Sequence, residues 1–184
     1  MTRKSFGVCV IVVAFVAVSF GMALAAQQTQ DKWSVKAPDG ITFGEFKGYE
    51  GWQDVAVSRT DALIKVIVGN PAMIAAYKAG IPDNGQKFPD GVKVVKIEWN
   101  KELNPKSPYG VERPTTLKSV ALIEKDSKRF PQSNGWGYAQ FDYDTTAGTF
   151  KAFGDSPDFG TKICYACHTI MKDTDYIFTR YPVH

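Results

Sequence analysis

Apolar and polar positions change period several times along the chain, and each change predicts an element. From Phe6 to Phe20 the positions are almost wholly apolar, with neither a strand's alternation nor a surface helix's stripe. The run follows Arg3 and Lys4 and ends at Ala23-Leu24-Ala25, just before the polar Gln27-Gln28-Thr29-Gln30. A positive start, a short apolar stretch and a small-x-small site make up a secretory signal peptide. A membrane anchor is the competing reading, but the stretch falls short of the ~20 apolar residues that a span needs. The pattern predicts residues 1–25 as a cleaved signal and residues 26–184 as a single domain exported to the periplasm.

Strand signals dominate the middle of the chain. Residues 62–68 are rich in Ile and Val and bounded by Gly69-Asn70, and residues 92–99 follow a Pro89-Asp90-Gly91 turn. Residues 115–124 and 135–143 predict two more strands, with turn residues between them, and residues 54–59 give a weaker fifth signal. One helix is predicted after residue 70, with Asn70 as its cap, Pro71 at its first position and Gly80 as its stop. A second is predicted over residues 158–172, and the proline-containing stretch 100–114 reads as an irregular surface loop. Successive strands with short connections predict an α+β fold, an antiparallel β-sheet with a few helices and a C-terminal helix.

Composition narrows the function classes. A 44% hydrophobic share fills a core, and 22% charged with 13% aromatic residues argues against disorder. The net charge of +3 is too small for a nucleic-acid groove or a polybasic membrane patch. Removing 25 residues from 184 leaves 159, and takes away Arg3, Lys4 and Cys9. The remaining domain is nearly neutral, has no membrane span and keeps two cysteines, Cys164 and Cys167.

Those two cysteines lie in Cys164-Tyr165-Ala166-Cys167-His168, the C-x-x-C-H signature of c-type haem attachment. The spacing suits the chemistry. Two thiols add to the two vinyl groups on one edge of a porphyrin, and the adjacent imidazole is carried under the ring to ligate its iron. A disulfide across C-x-x-C and a zinc site are the alternatives. Thioredoxin-like proteins place the former early in the fold, and zinc would need further ligands, where the other histidine is the terminal His184. One motif predicts one covalently attached haem c, with Cys164 and Cys167 as its anchors and His168 as the iron ligand.

The iron's sixth position has few claimants. Met171 is three residues from His168 on the same predicted helix, and Met73 sits among Ala72, Ile74 and Ala75 in a pattern that reads as core. A four-helix cytochrome would place its motif near the C-terminus too, but the strand content contradicts a bundle. The expectation is an open site suited to a small ligand rather than to electron relay.

The chain resembles the cytochrome P460 family, including its β-sheet members called cytochromes c′-β. The resemblance runs from about Gly51 to Pro182. It rests on Val66-Ile67-Val68-Gly69-Asn70-Pro71, then Phe88-Pro89-Asp90-Gly91 leading to Lys96 and Trp99, and Lys125-Asp126-Ser127-Lys128-Arg129-Phe130. Gly135-Trp136-Gly137-Tyr138, the haem motif and Asp175-Tyr176-Ile177-Phe178-Thr179 complete it. The resemblance implies a homodimer with a five-coordinate haem on His168. It also implies that Lys96, five residues after the glycine of F-P-D-G, stands where relatives bond a lysine to the macrocycle. That bond accompanies oxidation of hydroxylamine to nitrogen oxides, with a soluble cytochrome as electron acceptor; relatives without it bind NO and CO.

Alternation places Lys96 with Val92, Val94 and Glu98 on one strand face, and Lys93, Val95, Ile97 and Trp99 on the other. Pattern alone leaves open which face is buried. Lys65 stands where many relatives carry an arginine; in a distal pocket it keeps the charge without the planar fork of donors. By the same resemblance Asp126 is a candidate distal acid or proton relay, against the plainer reading of a solvated loop carboxylate.

Overall fold

The computed structural model describes residues 30–182, so the predicted signal and His184 lie outside the described residues. Six strands form one antiparallel sheet in strict chain order: β1 (Gln53–Arg59), β2 (Leu63–Gly69), β3 (Lys93–Leu103), β4 (Glu112–Lys125), β5 (Trp136–Asp144) and β6 (Thr149–Ala152). The fold is α+β, as expected. The weak strand signal at residues 54–59 corresponds to β1, whereas β6 had no counterpart in the sequence pattern.

The stretch read as an irregular loop, residues 100–114, needs correction. β3 continues to Leu103 and β4 starts at Glu112, with Lys101 opposite Pro114 and Leu103 opposite Glu112. Only residues 104–111 connect them. This arm escaped the pattern because Leu103 and Val111 are exposed, so neither strand has a buried face there to impose alternation.

Both faces of the sheet are covered. On one, Val68, Val95, Val120, Leu122, Ala139 and Phe141 pack under the N-terminal stretch, whose Ile41, Phe43 and Phe46 are fully buried. Phe43 centres this layer, with ring centroids 5.0 Å from Phe141 and 4.9 Å from Phe150. On the other, Ile67, Val94 and Tyr138 meet Met73, Ile74 and Tyr77 of α1 (Pro71–Lys78), together with Phe88, Trp136 and Ile177. The alternation of β3 is thus real, and each of its faces has its own core.

Helix α1 forms where the sequence predicts it. Asn70 Oδ1 accepts from the Met73 backbone N–H at 2.9 Å, the N-cap bond, and Pro71 follows as the first helical residue. The same Oδ1 accepts from the Lys93 N–H at 3.0 Å and the Asn70 amide donates to Gly91 O at 2.9 Å, so one side chain joins the start of α1 to the start of β3. Gly80, at φ +88°, ends the turn that follows.

The C-terminal helical run spans 160–174 but is not uniform. It winds as a π-helix over Gly160–Tyr165, an α-turn over Ala166–His168 and a 3-10 helix over Thr169–Thr174. Gly160 is where it touches the sheet. A Cβ there would lie 2.6 Å from Tyr138 O, so only glycine lets the run approach β5 this closely.

Candidate cofactor site

The C-terminal run and the sheet enclose a cavity of about 770 Å³, within the range of cofactor pockets. Its floor is the face of the sheet that carries Lys96. Cross-strand pairing sets Ile67 opposite Lys96, Lys96 opposite Ala121, and Ala121 opposite Gln140, so one row crosses four strands beneath the cavity. The roof is Ile163, Cys164, Cys167, His168, Ile177 and Phe178.

The motif residues all face this space. Cys164 is half-buried and Cys167 exposed, both as free thiols. Burial pushes the Cys164 thiol above its ordinary range. The His168 ring lies between two aromatic rings, with centroids 4.8 Å from Tyr138 and 4.8 Å from Phe178. Its Nδ1 is 2.6 Å from the Tyr176 carbonyl oxygen. A carbonyl can only accept, so Nδ1 carries the proton and Nε2 is the nitrogen available to a metal. Burial lowers the His168 pKa, and the Lys96 charge lowers it further against the opposing Tyr176 bond; the ring is neutral, as a ligand must be.

One end of the cavity floor is polar. Glu98, buried on the same face as Lys96, places Oε1 3.1 Å from Lys96 Nζ and 3.3 Å from Lys65 Nζ, while Oε2 accepts from Ser119 Oγ at 2.6 Å. Burial acts to raise the Glu98 pKa, but the Ser119 bond and the charges of Lys96 and Lys65 outweigh it and hold the carboxyl below its ordinary range. Glu98 is therefore ionised at neutral pH. The other end, around Val94, Ile123 and Ile177, is apolar.

The sequence-derived residues separate here. Lys65 and Lys96 line the cavity with Cys164, Cys167 and His168. Asp126 does not. Its Oδ1 accepts from the Lys128 and Arg129 N–H groups, each at 3.0 Å, which closes the turn after β4 and makes it a turn former. Glu98 and Ser119, which back the lining lysines without lining the cavity themselves, went unread, although Glu98 stands two positions from Lys96, the spacing that puts two side chains on one strand face.

These residues fit a flat, iron-bearing group. Two thiols and a neutral, oriented imidazole share one wall, the donor set of a c-type haem. Tyr138 lines the cavity, and its buried hydroxyl has no hydrogen-bond partner among the described residues, an orphan that a group bound there could satisfy. Among the described residues no group of three or more His, Cys, Asp or Glu side chains converges as around a bare metal ion. No helix among them is long and apolar enough to cross a membrane.

No curated protein matches the chain. The family model described as cytochrome P460 matches residues 46–179, which include all six strands, α1 and the whole C-terminal helical run, and the family implies a haem cofactor. The chain belongs to the cytochrome P460 family.

Proposed function

We propose that this chain is an exported mono-haem cytochrome c that oxidises hydroxylamine to nitrogen oxides. The observation that carries this reading is the ionised Glu98 set against Lys96 on the cavity floor. Oxidising hydroxylamine releases protons together with electrons, and Glu98, a buried carboxylate that meets the cavity through the lining Lys96 and Lys65, would take them up. Haem, when bound, supplies an iron that binds nitrogen ligands and passes electrons outward.

The chain's residues divide the remaining work. Cys164 and Cys167 would hold the haem edge through thioethers, and His168 Nε2 would be the iron ligand. Met73 is fully buried on the core side of α1, and Met171 lies on the run just past His168, so neither methionine would serve as a second iron ligand. Lys96, which lines the cavity, would meet the macrocycle, and Lys65 neutralises Glu98. The product is a periplasmic homodimer of a single domain, residues 26–184, with the signal removed after about Ala25 and a soluble cytochrome taking the electrons.

A second reading is a c′-β-like binder of NO or CO without turnover. It draws on the apolar end of the cavity, where Val94, Ile123 and Ile177 suit an uncharged diatomic.

Tryptic mass analysis of the haem-loaded protein separates the readings. The enzyme reading expects one fragment joining the Lys96 peptide to the Cys164–Cys167 peptide through haem, a broad red-shifted Soret band, and reduction of the ferric protein by hydroxylamine. A haem peptide without Lys96, together with a ferric spectrum unmoved by hydroxylamine, overturns it in favour of gas binding. A low-spin six-coordinate spectrum overturns both.

A further inference from the structure

We propose that the buried Lys125–Asp175 ion pair positions His168 by fixing the left-handed turn that aims the Tyr176 carbonyl at Nδ1. This inference rests on the reading of His168 as the iron ligand.

The turn is unusual. Asp175 and Tyr176 both have positive φ, at 49° and 68°, and neither is glycine. Side chains of L-residues crowd the backbone in this region, so two in succession persist only where the surroundings over-determine them. The surroundings do so here. Asp175 N–H donates to Lys172 O at 3.2 Å and Tyr176 N–H to Met171 O at 2.8 Å, while Thr174 Oγ donates to Ile177 O at 2.7 Å. These bonds hold the turn to its own segment. What holds it to the rest of the protein is the Asp175 carboxylate.

That carboxylate is buried and fully engaged. Lys125 Nζ, at the end of β4, lies 3.0 Å from Oδ1 and 2.9 Å from Oδ2, and the Phe88 N–H donates to Oδ2 at 2.9 Å. The Lys125 and Asp175 side chains are 4% and 2% exposed. The Lys125 ammonium also sits over the Trp136 ring, 4.6 Å from its centroid. A backbone amide and a strand-end lysine, itself seated over an indole face, thus locate one carboxylate. One residue further on, the Tyr176 carbonyl stands 2.6 Å from His168 Nδ1.

Stability is a poor account of this pair. Desolvating two charges offsets most of their attraction, and apolar residues of similar size often serve a core as well or better. An ion pair adds what an apolar contact lacks: a directional anchor for the backbone that bears it. Neither Lys125 nor Asp175 lines the cavity, so their influence passes through the Tyr176 carbonyl. A short N–H···O bond at Nδ1 makes the imidazole a stronger donor through Nε2.

The test uses the full chain loaded with haem. Asp175→Asn keeps a side chain that tolerates positive φ and an acceptor for Phe88 N–H, but removes the charge. Lys125→Met with Asp175→Asn removes both charges, so no unpaired ion is left buried if the single variant fails to fold. Lys125→Arg keeps the pair's charges. The readouts are the iron–histidine stretching band of the ferrous protein by resonance Raman, the midpoint potential and the melting temperature. The expected result is a band at lower wavenumber and a higher potential in Asp175→Asn and in the double variant, with Lys125→Arg returning both towards the unaltered protein. A lowered melting temperature with band and potential unmoved makes the pair merely structural and overturns the proposal. Absence of the band from the unaltered protein overturns the reading of His168 itself, a distinct failure seen before any substitution is made.

Discussion

Glu98 and Lys96 form an ion pair on the cavity face of β3, with Oε1 3.1 Å from Nζ. Two positions along a strand return to the same face, so the pair is built by the pleat and not by a loop. Glu98 also pairs with Lys65 across to β2 and accepts from Ser119 on β4, so three neighbouring strands meet at one carboxylate.

This carboxylate gives the protein an acid-sensitive contribution to stability. Its folded pKa lies below the ordinary value of 4.5. A depressed carboxyl contributes stability that is complete above the unfolded value and is lost as pH falls through the folded one. Glu98→Gln is expected to melt earlier than the unaltered protein at neutral pH. As pH drops below about 4.5, the melting curves of the two proteins should converge. Curves that stay parallel through that range contradict the assignment.

The proton-accepting role carries a kinetic expectation. Glu98→Gln should slow hydroxylamine oxidation by about 10², the low end of a placed general base's contribution, because a carboxyl held below its ordinary range is a weak base. NO binding to the ferrous protein should change little, because the apolar end of the cavity is untouched. Steady-state rates and NO titrations of the same preparation measure both.

Tyr138 offers a comparison of loaded and unloaded protein. A buried hydroxyl without a partner costs about 1–3 kcal/mol, and the Tyr138 hydroxyl is one in the ligand-free chain. Tyr138→Phe should therefore stabilise the ligand-free protein by about 1 kcal/mol. In the haem-loaded protein the gain should vanish or reverse, because the hydroxyl then has a partner to lose. Denaturant unfolding of both forms decides it; an equal gain in each means the hydroxyl stays unpaired.

Gly160 sets how closely the C-terminal run approaches the sheet. In Gly160→Ala the added Cβ would meet Tyr138 O at 2.6 Å, and one of the two backbones must move. A loss of about 1–3 kcal/mol is expected, as for other overpacked sites, together with reduced haem incorporation per chain. Absorbance of the haem relative to protein, with a thermal melt, reports both effects.

Legibility in the sequence followed the physics of each part. β2 to β5 were readable because a two-sided core demands runs rich in apolar, β-branched and aromatic residues, and α1 because Asn70, Pro71 and Gly80 are punctuation with fixed meanings. The β3–β4 arm and the four-residue β6 were not, since exposed or short strands bury too little to leave a period. Cys164, Cys167 and His168 could be found because their chemistry forces them to be neighbours in the chain. Glu98 and Ser119 stand 21 residues apart, and Lys125 and Asp175 stand 50 apart. Only the fold brings each pair together.

The chain-order sheet has a consequence for how this protein is made. Each strand pairs with the one synthesised just before it, and the last pairing, β5 with β6, is complete at Ala152. Such neighbour-to-neighbour pairing needs only short loop closures. Cys164 and Cys167 come later, so the surface that receives them is assembled from residues already present. The thiols arrive after the last strand, on a segment whose removal would break none of the sheet's strand pairings.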